Sequence, residues 1–233
     1  ALEDEILCLG PETVSAYIAE PVSGHSLAAA HPPDEHFKRI RQICDKYDVL
    51  MILDEVMSGV GRTGKWFAYQ HTGILPDVVG IAKALGNGVP IGACMAQGTA
   101  AELMTPGSHG TTFGGNPLAT RAALAVLDAM ESGALVTQAG QRGRQLLEGF
   151  RERLAGQPGV ASIRGRGMMI GIELDRPCRE LVGMAIGRGL LINVTADRVV
   201  RLLPPLITTE QQAEMIVEKI SELIHEFLAE PDA

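Results

Sequence analysis

A chain of 233 residues, 46% of them hydrophobic, can bury a substantial core and suits one large globular domain, or a large one with a small one. A formal net charge of −8 excludes any general electrostatic pull toward nucleic acid or an anionic membrane. The four cysteines, Cys8, Cys44, Cys94 and Cys178, make no CxxC pair, so nothing indicates a metal site or a disulfide framework; reduced thiols in a cytoplasmic protein are expected.

No apolar run is long enough to span a bilayer, and the opening ALEDEIL is not a signal peptide. The chain lacks an initiator Met and is read as beginning inside a longer protein.

In chain order, Leu2 to Leu9 predicts a short acidic helix stopped by Gly10-Pro11. Val14 to Glu20 is a strand candidate closed by Pro21, and Ser23 to Pro33 a loop. Phe37, Ile40, Ile43 and Cys44 recur at helical spacing, which predicts an amphipathic helix from Asp34 to Tyr47. Val49 to Leu53 is an unbroken apolar run, the pattern of a strand covered on both faces. A short helix over Trp66 to Thr72 and strands over Asp77 to Ala82 and Gly92 to Ala96 follow. This alternation predicts an α/β layered domain with a largely parallel sheet.

Pro106 to Asn116 is a glycine-rich loop. Asn116 has the character of an N-cap and Pro117 of a first helical residue, opening a helix to about Met130 that Gly133 breaks. A second helix runs from about Leu135 to Leu154. The remainder reads as a compact α+β unit. Its strands are Val160 to Ile163, Met168 to Leu174, Leu190 to Val194 and Val199 to Leu203; its helices are Arg179 to Arg188 and Glu210 to Leu228, the latter capped by Thr208. The expected organisation is a large-domain portion over 1–133, a connecting helix over 134–156 and a small domain over 157–233.

Five places could carry chemistry. Asp54 and Glu55 end an apolar strand, where ligands of open α/β sheets bind, and an acid there can hold a protonated ring nitrogen. Solvated carboxylates or a Mg²⁺ ligand are the alternatives. Gly59 to Trp66 (GVGRTGKW) is a near miss for a phosphate loop: Trp66 stands where the Mg²⁺-binding hydroxyl belongs, which leaves a nucleotide hydrolase as a remote reading. As a plain turn, it would let Arg62 pair with a nearby acid.

Lys83 follows VVGIA directly, so its stem is expected among apolar groups, where its pKa tends to fall and a neutral amine can form a Schiff base with an aldehyde. A lysine reaching out to solvent is the plainer alternative. His109 to Gly115 (HGTTFGG) offers the hydroxyls of Thr111 and Thr112 ahead of a helix N-terminus, a phosphate site or simply a capped loop. Arg201, the one cation in VVRLLPPL, suits a bidentate carboxylate or a structural ion pair. His25, His31, His36 and His71 have no ligand spacing.

The set resembles the class III (ornithine-type) aminotransferases. Strand-Asp54-Glu55, GxGRTG, strand-Lys83, HGTTFGGNP and an arginine before LLPPL occur in that order. KALGNGVPIGA, SHGTTFGGNPLA, GRGMMIGIELDRPC and GLLINVTADRVVRLLPPL place the region from Asp48 onward nearest the acetylornithine-type subgroup of arginine biosynthesis.

The resemblance implies the type I fold of pyridoxal-5'-phosphate-dependent transferases: part of an α/β large domain plus a small C-terminal α+β domain. It implies that Lys83 carries the internal Schiff base, Asp54 pairs with the pyridinium nitrogen, Thr112 with Thr111 binds the cofactor phosphate, and Arg201 takes the substrate α-carboxylate. Glu55 and Arg62 would support them from behind. The implied reaction is ping-pong transfer of an amino group from acetylornithine or a related ω-amino compound to a 2-oxo acid such as 2-oxoglutarate. The family works as a homodimer with shared active sites.

This sequence departs from the pattern in places. EPIQGEGG is replaced by Glu20 to Leu27 (EPVSGHSL), so the glutamate that meets the substrate-binding arginine is not identifiable. Met57 stands where the subgroup has a glutamine that contacts the ring hydroxyl. The family's upstream half, with its main phosphate loop and ring-stacking aromatic, is not in the sequence. Little or no turnover by the chain alone is therefore expected, with a non-catalytic, partner-binding remnant as the alternative.

Overall fold

The structure, a computed structural model, describes residues 1–229. It divides into two compact units: residues 1–21, 32–60 and 65–133 form the first, and 22–31, 61–64 and 134–229 form the second.

The first unit runs α1 (Leu2–Leu9), β1 (Ala16–Ala19), α2 (Asp34–Tyr47), β2 (Leu50–Asp54), β3 (Val78–Ile81), β4 (Ala93–Ala96), the short α3 (Thr99–Glu102) and α4 (Pro117–Ser132). Its sheet has the order β1-β2-β3-β4. The first three strands are parallel and β4 is antiparallel to β3, so the mostly parallel sheet ends in a reversed edge. The apolar stripe of α2 works as its spacing predicts: Phe37, Ile40, Ile43 and Cys44 are buried with Ile6 of α1 and Val49, Met51 and Leu53 in one core.

Asp48 ends α2 in a left-handed conformation and turns the chain into β2. Arg41 fastens the same helix to the sheet. Its Nη1 donates to Asp77 Oδ2 at 2.6 Å, and that oxygen also accepts from the amide of Met51 at 2.7 Å. One expectation needs correction: β2 is not covered equally on both faces, since Met51 and Leu53 are buried while Leu50 and Ile52 are half-buried.

The second unit contains α5 (Leu135–Arg153), β5 (Val160–Arg166), β6 (Met169–Leu174), α6 (Glu180–Gly187), β7 (Asn193–Thr195), β8 (Val199–Leu202) and α7 (Glu210–Ala229). Its sheet is antiparallel throughout, in the order β5-β6-β8-β7. Leu146 and Phe150 of α5, Val217, Ile220 and Ile224 of α7, and Ile170, Ile172, Val200 and Leu202 of the sheet share one core. The turn 61–64 packs at backbone distance: the amide of Met168 donates to Arg62 O at 2.9 Å.

Two local expectations fail here. The strand expected from Leu190 starts only at Asn193, because the amide of Leu190 is taken by Ala185 O and Pro204-Pro205 offer the ladder no N–H. The last helix is capped by Thr209 rather than Thr208. Thr209 Oγ1 accepts from the amide of Gln212, whose Oε1 accepts from the amide of Thr209. The Thr208 hydroxyl donates to Pro205 O instead.

Candidate active site

In the first unit, β2 and β3 run side by side and end at the same edge of the sheet. Asp54 is paired in register with Gly80, and the amide of Glu55 donates to Gly80 O at 2.9 Å. Lys83 comes directly after β3. An acid and an amine therefore leave adjacent parallel strands at their carboxyl ends, the ligand-binding edge of α/β sheets.

Asp54 is half-buried. Its Oδ1 accepts from the amide of Val56 at 2.9 Å, an Asx turn that fixes the carboxylate, and its Oδ2 has no partner among the described residues. Glu55 is 1% exposed. Burial raises its pKa, against the hydrogen bonds it accepts from the amides of Ala68 and Tyr69 and the hydroxyl of Ser58. The amides that open the 3-10 turn Ala68–His71 are thus satisfied by a protein carboxylate. A phosphate would use just such amides, so this strand-turn region is built around Glu55 rather than as a nucleotide loop.

Lys83 is exposed, which corrects the expectation of a stem among apolar groups. The chain leaves β3 at Ile81 and enters a short 3-10 turn with Lys83 at φ 43, a left-handed conformation in which the strand cannot continue. Nζ has no protein partner among the described residues.

Thr112 is exposed, as is the whole stretch 101–118. Thr111 Oγ1 accepts from the amide of Gly114 at 3.1 Å, and Asn116 caps α4 by accepting from the amide of Ala119 at 3.0 Å. The hydroxyl of Thr112 remains open to an anion, whereas the first turn of α4 is largely satisfied: Pro117 has no N–H, and the amides of Ala119 and Thr120 donate to Asn116.

Arg201 and Arg62 belong to the second unit. Neither has a carboxylate partner among the described residues. Arg62 donates to Pro204 O, which corrects the expected pairing with an acid, and burial lowers its pKa. Arg201 Nη1 donates to Gly24 O at 2.7 Å. Its Nε is buried with no hydrogen-bond partner, and burial lowers its pKa as well. A partly desolvated guanidinium held only by a neutral carbonyl is a ready donor to a ligand carboxylate.

The donor set fits pyridoxal phosphate. Asp54 has one fixed and one free carboxylate oxygen for a protonated ring nitrogen, Lys83 has a free primary amine, and Thr112 has an exposed hydroxyl for a phosphate. No group of His, Cys, Asp and Glu suited to a metal occurs among the described residues.

The chain belongs to the class III aminotransferases: the family model "Aminotransferase class-III" matches residues 3–224. It is 51% identical over 218 residues to acetylornithine aminotransferase 1 of Bordetella bronchiseptica, covering 93% of this chain and 55% of that protein. Acetylornithine aminotransferase of Nitrosomonas europaea is 52% identical over 197 residues, 84% of this chain and 50% of the relative. The chain thus spans about half the length of the curated relatives it matches.

Among solved structures, ornithine aminotransferase from Toxoplasma gondii superposes with a TM-score of 0.91 at 32% identity, covering 97% of this chain and 54% of that one. Acetylornithine aminotransferase from Elizabethkingia anophelis gives 0.90 at 33%, covering 97% and 60%. The mixed, mostly parallel sheet is that of the type I fold of pyridoxal-phosphate-dependent transferases.

Proposed function

We propose that the protein is a pyridoxal-phosphate-dependent aminotransferase that moves an amino group from acetylornithine, or a related ω-amino compound, to 2-oxoglutarate. The observation that carries this reading is the placement of Asp54 and Lys83 at the carboxyl ends of neighbouring parallel strands, each with a free polar atom. The relatives from Bordetella bronchiseptica and Nitrosomonas europaea, both acetylornithine aminotransferases, support the donor. One structural neighbour is described with partial occupancy of PLP at its active site and another in complex with PMP, which supports the cofactor.

Pyridoxal phosphate, when bound, supplies an aldehyde and an electron-accepting ring. Asp54 Oδ2 would hold a proton on the ring nitrogen, its geometry set in advance by Val56. Lys83 Nζ, which has no protein partner among the described residues, would take a proton from the substrate carbon and return it. Thr112, with Thr111 shaping the turn, would hold the phosphate, and Arg201 the substrate carboxylate. Glu55 would keep the backbone beside Asp54 in place, and Arg62 the chain around Pro204. Donor and acceptor would use the site in turn, in ping-pong fashion.

A homodimer with shared sites and a cytoplasmic setting complete the proposal. No helix of the described residues is long and apolar enough to cross a membrane. Because the relatives are nearly twice as long, slow or no turnover is expected of these 233 residues by themselves. Borohydride reduction after mixing with pyridoxal phosphate should fix the cofactor to Lys83, and Lys83→Ala should abolish the labelling. Labelling that survives the substitution would remove Lys83 from its role.

A further inference from the structure

The register of the second unit's sheet sets Arg164 of β5 opposite Gly171 of β6, and Gly171 opposite Arg201 of β8. Residues directly opposite across strands share a face. Two guanidiniums therefore rise from one row, two strand spacings or roughly 10 Å apart, with a bare glycine between them. The segment 22–31 lies across this row.

Three carbonyls of that segment meet the two arginines. Arg201 Nη1 donates to Gly24 O at 2.7 Å, Arg164 Nη2 to Leu27 O at 3.0 Å and Arg164 Nε to Ala28 O at 3.2 Å. A Cβ on Gly171 would stand 2.4 Å from Ala28 O, so the segment rests on glycine because no other residue leaves room. The segment closes on itself through Ser23 N to Ala30 O and Ala29 N to Ser23 O, both 2.8 Å. Its Ala28 and Ala29 are buried in left-handed conformations, φ 41 and 58, which alanine disfavours. It is a preformed strap under backbone strain. Arg164 is itself fixed by Glu173, whose pKa the guanidinium lowers.

We propose that Arg164 is a positioning residue that seats the strap 22–31 on Gly171, so that the Gly24 carbonyl competes with ligand carboxylate for Arg201. This rests on the reading that Arg201 binds a carboxylate. The competitor is neutral, and a charge-assisted bond to a carboxylate is stronger, so the ligand lifts the strap as it binds. Lifting also relieves the two alanines and frees Arg201 Nε, which has no partner while the strap is seated.

The test is titration of the 233-residue chain with glutarate, an unreactive dicarboxylate. Arg164→Lys keeps the charge and removes the fork that spans Leu27 and Ala28. Gly171→Ala displaces the Ala28 carbonyl without touching any charge. Both should bind glutarate about threefold to tenfold more tightly, the worth of one competing hydrogen bond released. In the parent chain, glutarate should speed amide exchange across residues 22–31.

Affinity unchanged or weakened in both variants overturns the proposal, and so does exchange in the strap that ignores glutarate. A gain confined to Gly171→Ala overturns the role of Arg164. Parental glutarate affinity in Arg201→Gln would instead remove the carboxylate reading of Arg201 on which the proposal rests.

Discussion

The amide of Glu55 donates to the carbonyl of Gly80 at 2.9 Å, one step past the last paired residues of β2 and β3. Its side chain meanwhile accepts the amides of Ala68 and Tyr69. One residue thus ties a strand end to the turn Ala68–His71. Asp54 is held between that anchored neighbour and its own bond from Val56, so the free carboxylate oxygen has a defined direction without a ligand.

The first prediction concerns Glu55. Replacing it with alanine leaves two amides and the Ser58 hydroxyl unpaired in a buried place and should cost about 3 kcal/mol, measured by urea unfolding. Burial raises its folded pKa above the ordinary carboxylate value. Its contribution to stability is therefore full below that ordinary value and declines as pH rises through the folded one. Glu55→Gln removes this decline, so the stability of the variant relative to the parent should improve as pH rises above the ordinary carboxylate value. A difference independent of pH would mean that Glu55 is ionised at no extra cost.

Gly143 of α5 faces Gly167, where a Cβ would come within 2.3 Å of backbone carbon and oxygen. Gly167 faces the backbone of Thr63 in the same way. Backbone cannot rotate aside as a side chain can. Gly143→Ala should therefore destabilise by about 1–3 kcal/mol, the usual range for overpacking, despite alanine's better helix propensity. Urea unfolding would show it as a lower midpoint at an unchanged slope. A stabilised variant would mean that α5 can shift away from this contact.

Thr209→Ala should cost about 1 kcal/mol, because it opens the reciprocal cap with Gln212. The Thr208 hydroxyl donates to Pro205 O and accepts nothing from the helix. Thermal unfolding of the two alanine variants should show Thr209→Ala to be the weaker at its helix start, with helicity lost from α7.

That cap shows what could be read from the sequence and what could not. Thr209 with Gln212 three residues on is a capping box that the sequence itself displays, one residue beyond the Thr208 expected as the cap. The helices Leu2–Leu9 and Asp34–Tyr47 were legible to the residue because breakers and apolar spacing agree there. The strands that lead to Asp54 and Lys83 were legible from their apolar runs, to within a residue at each end. The exposure of Lys83 was not, since it depends on one left-handed residue that no propensity favours. The partners of Arg62 and Arg201 were out of reach: each is a backbone carbonyl, 142 and 177 residues away in the chain. A carbonyl carries no side-chain signature, so only the fold reveals it. Arg164 escaped notice too, because its meaning lies in the cross-strand row with Gly171 and Arg201.

Asp54→Asn separates the fold from the chemistry. An asparagine keeps an oxygen to accept from the amide of Val56, so the Asx turn survives and stability should change by less than about 1 kcal/mol. What disappears is the negative charge on the free oxygen. An opposite charge within about 4–6 Å typically shifts a pKa by about one to three units toward the charged form, and the ring nitrogen of bound cofactor should lose that support. A spectroscopic pH titration of pyridoxal phosphate bound to parent and variant reads this directly as a lowered ring-nitrogen pKa, accompanied by weaker cofactor binding. An unchanged titration in a folded variant would show that the ring nitrogen lies elsewhere, and the proposed role of the β2 terminus would fall with it.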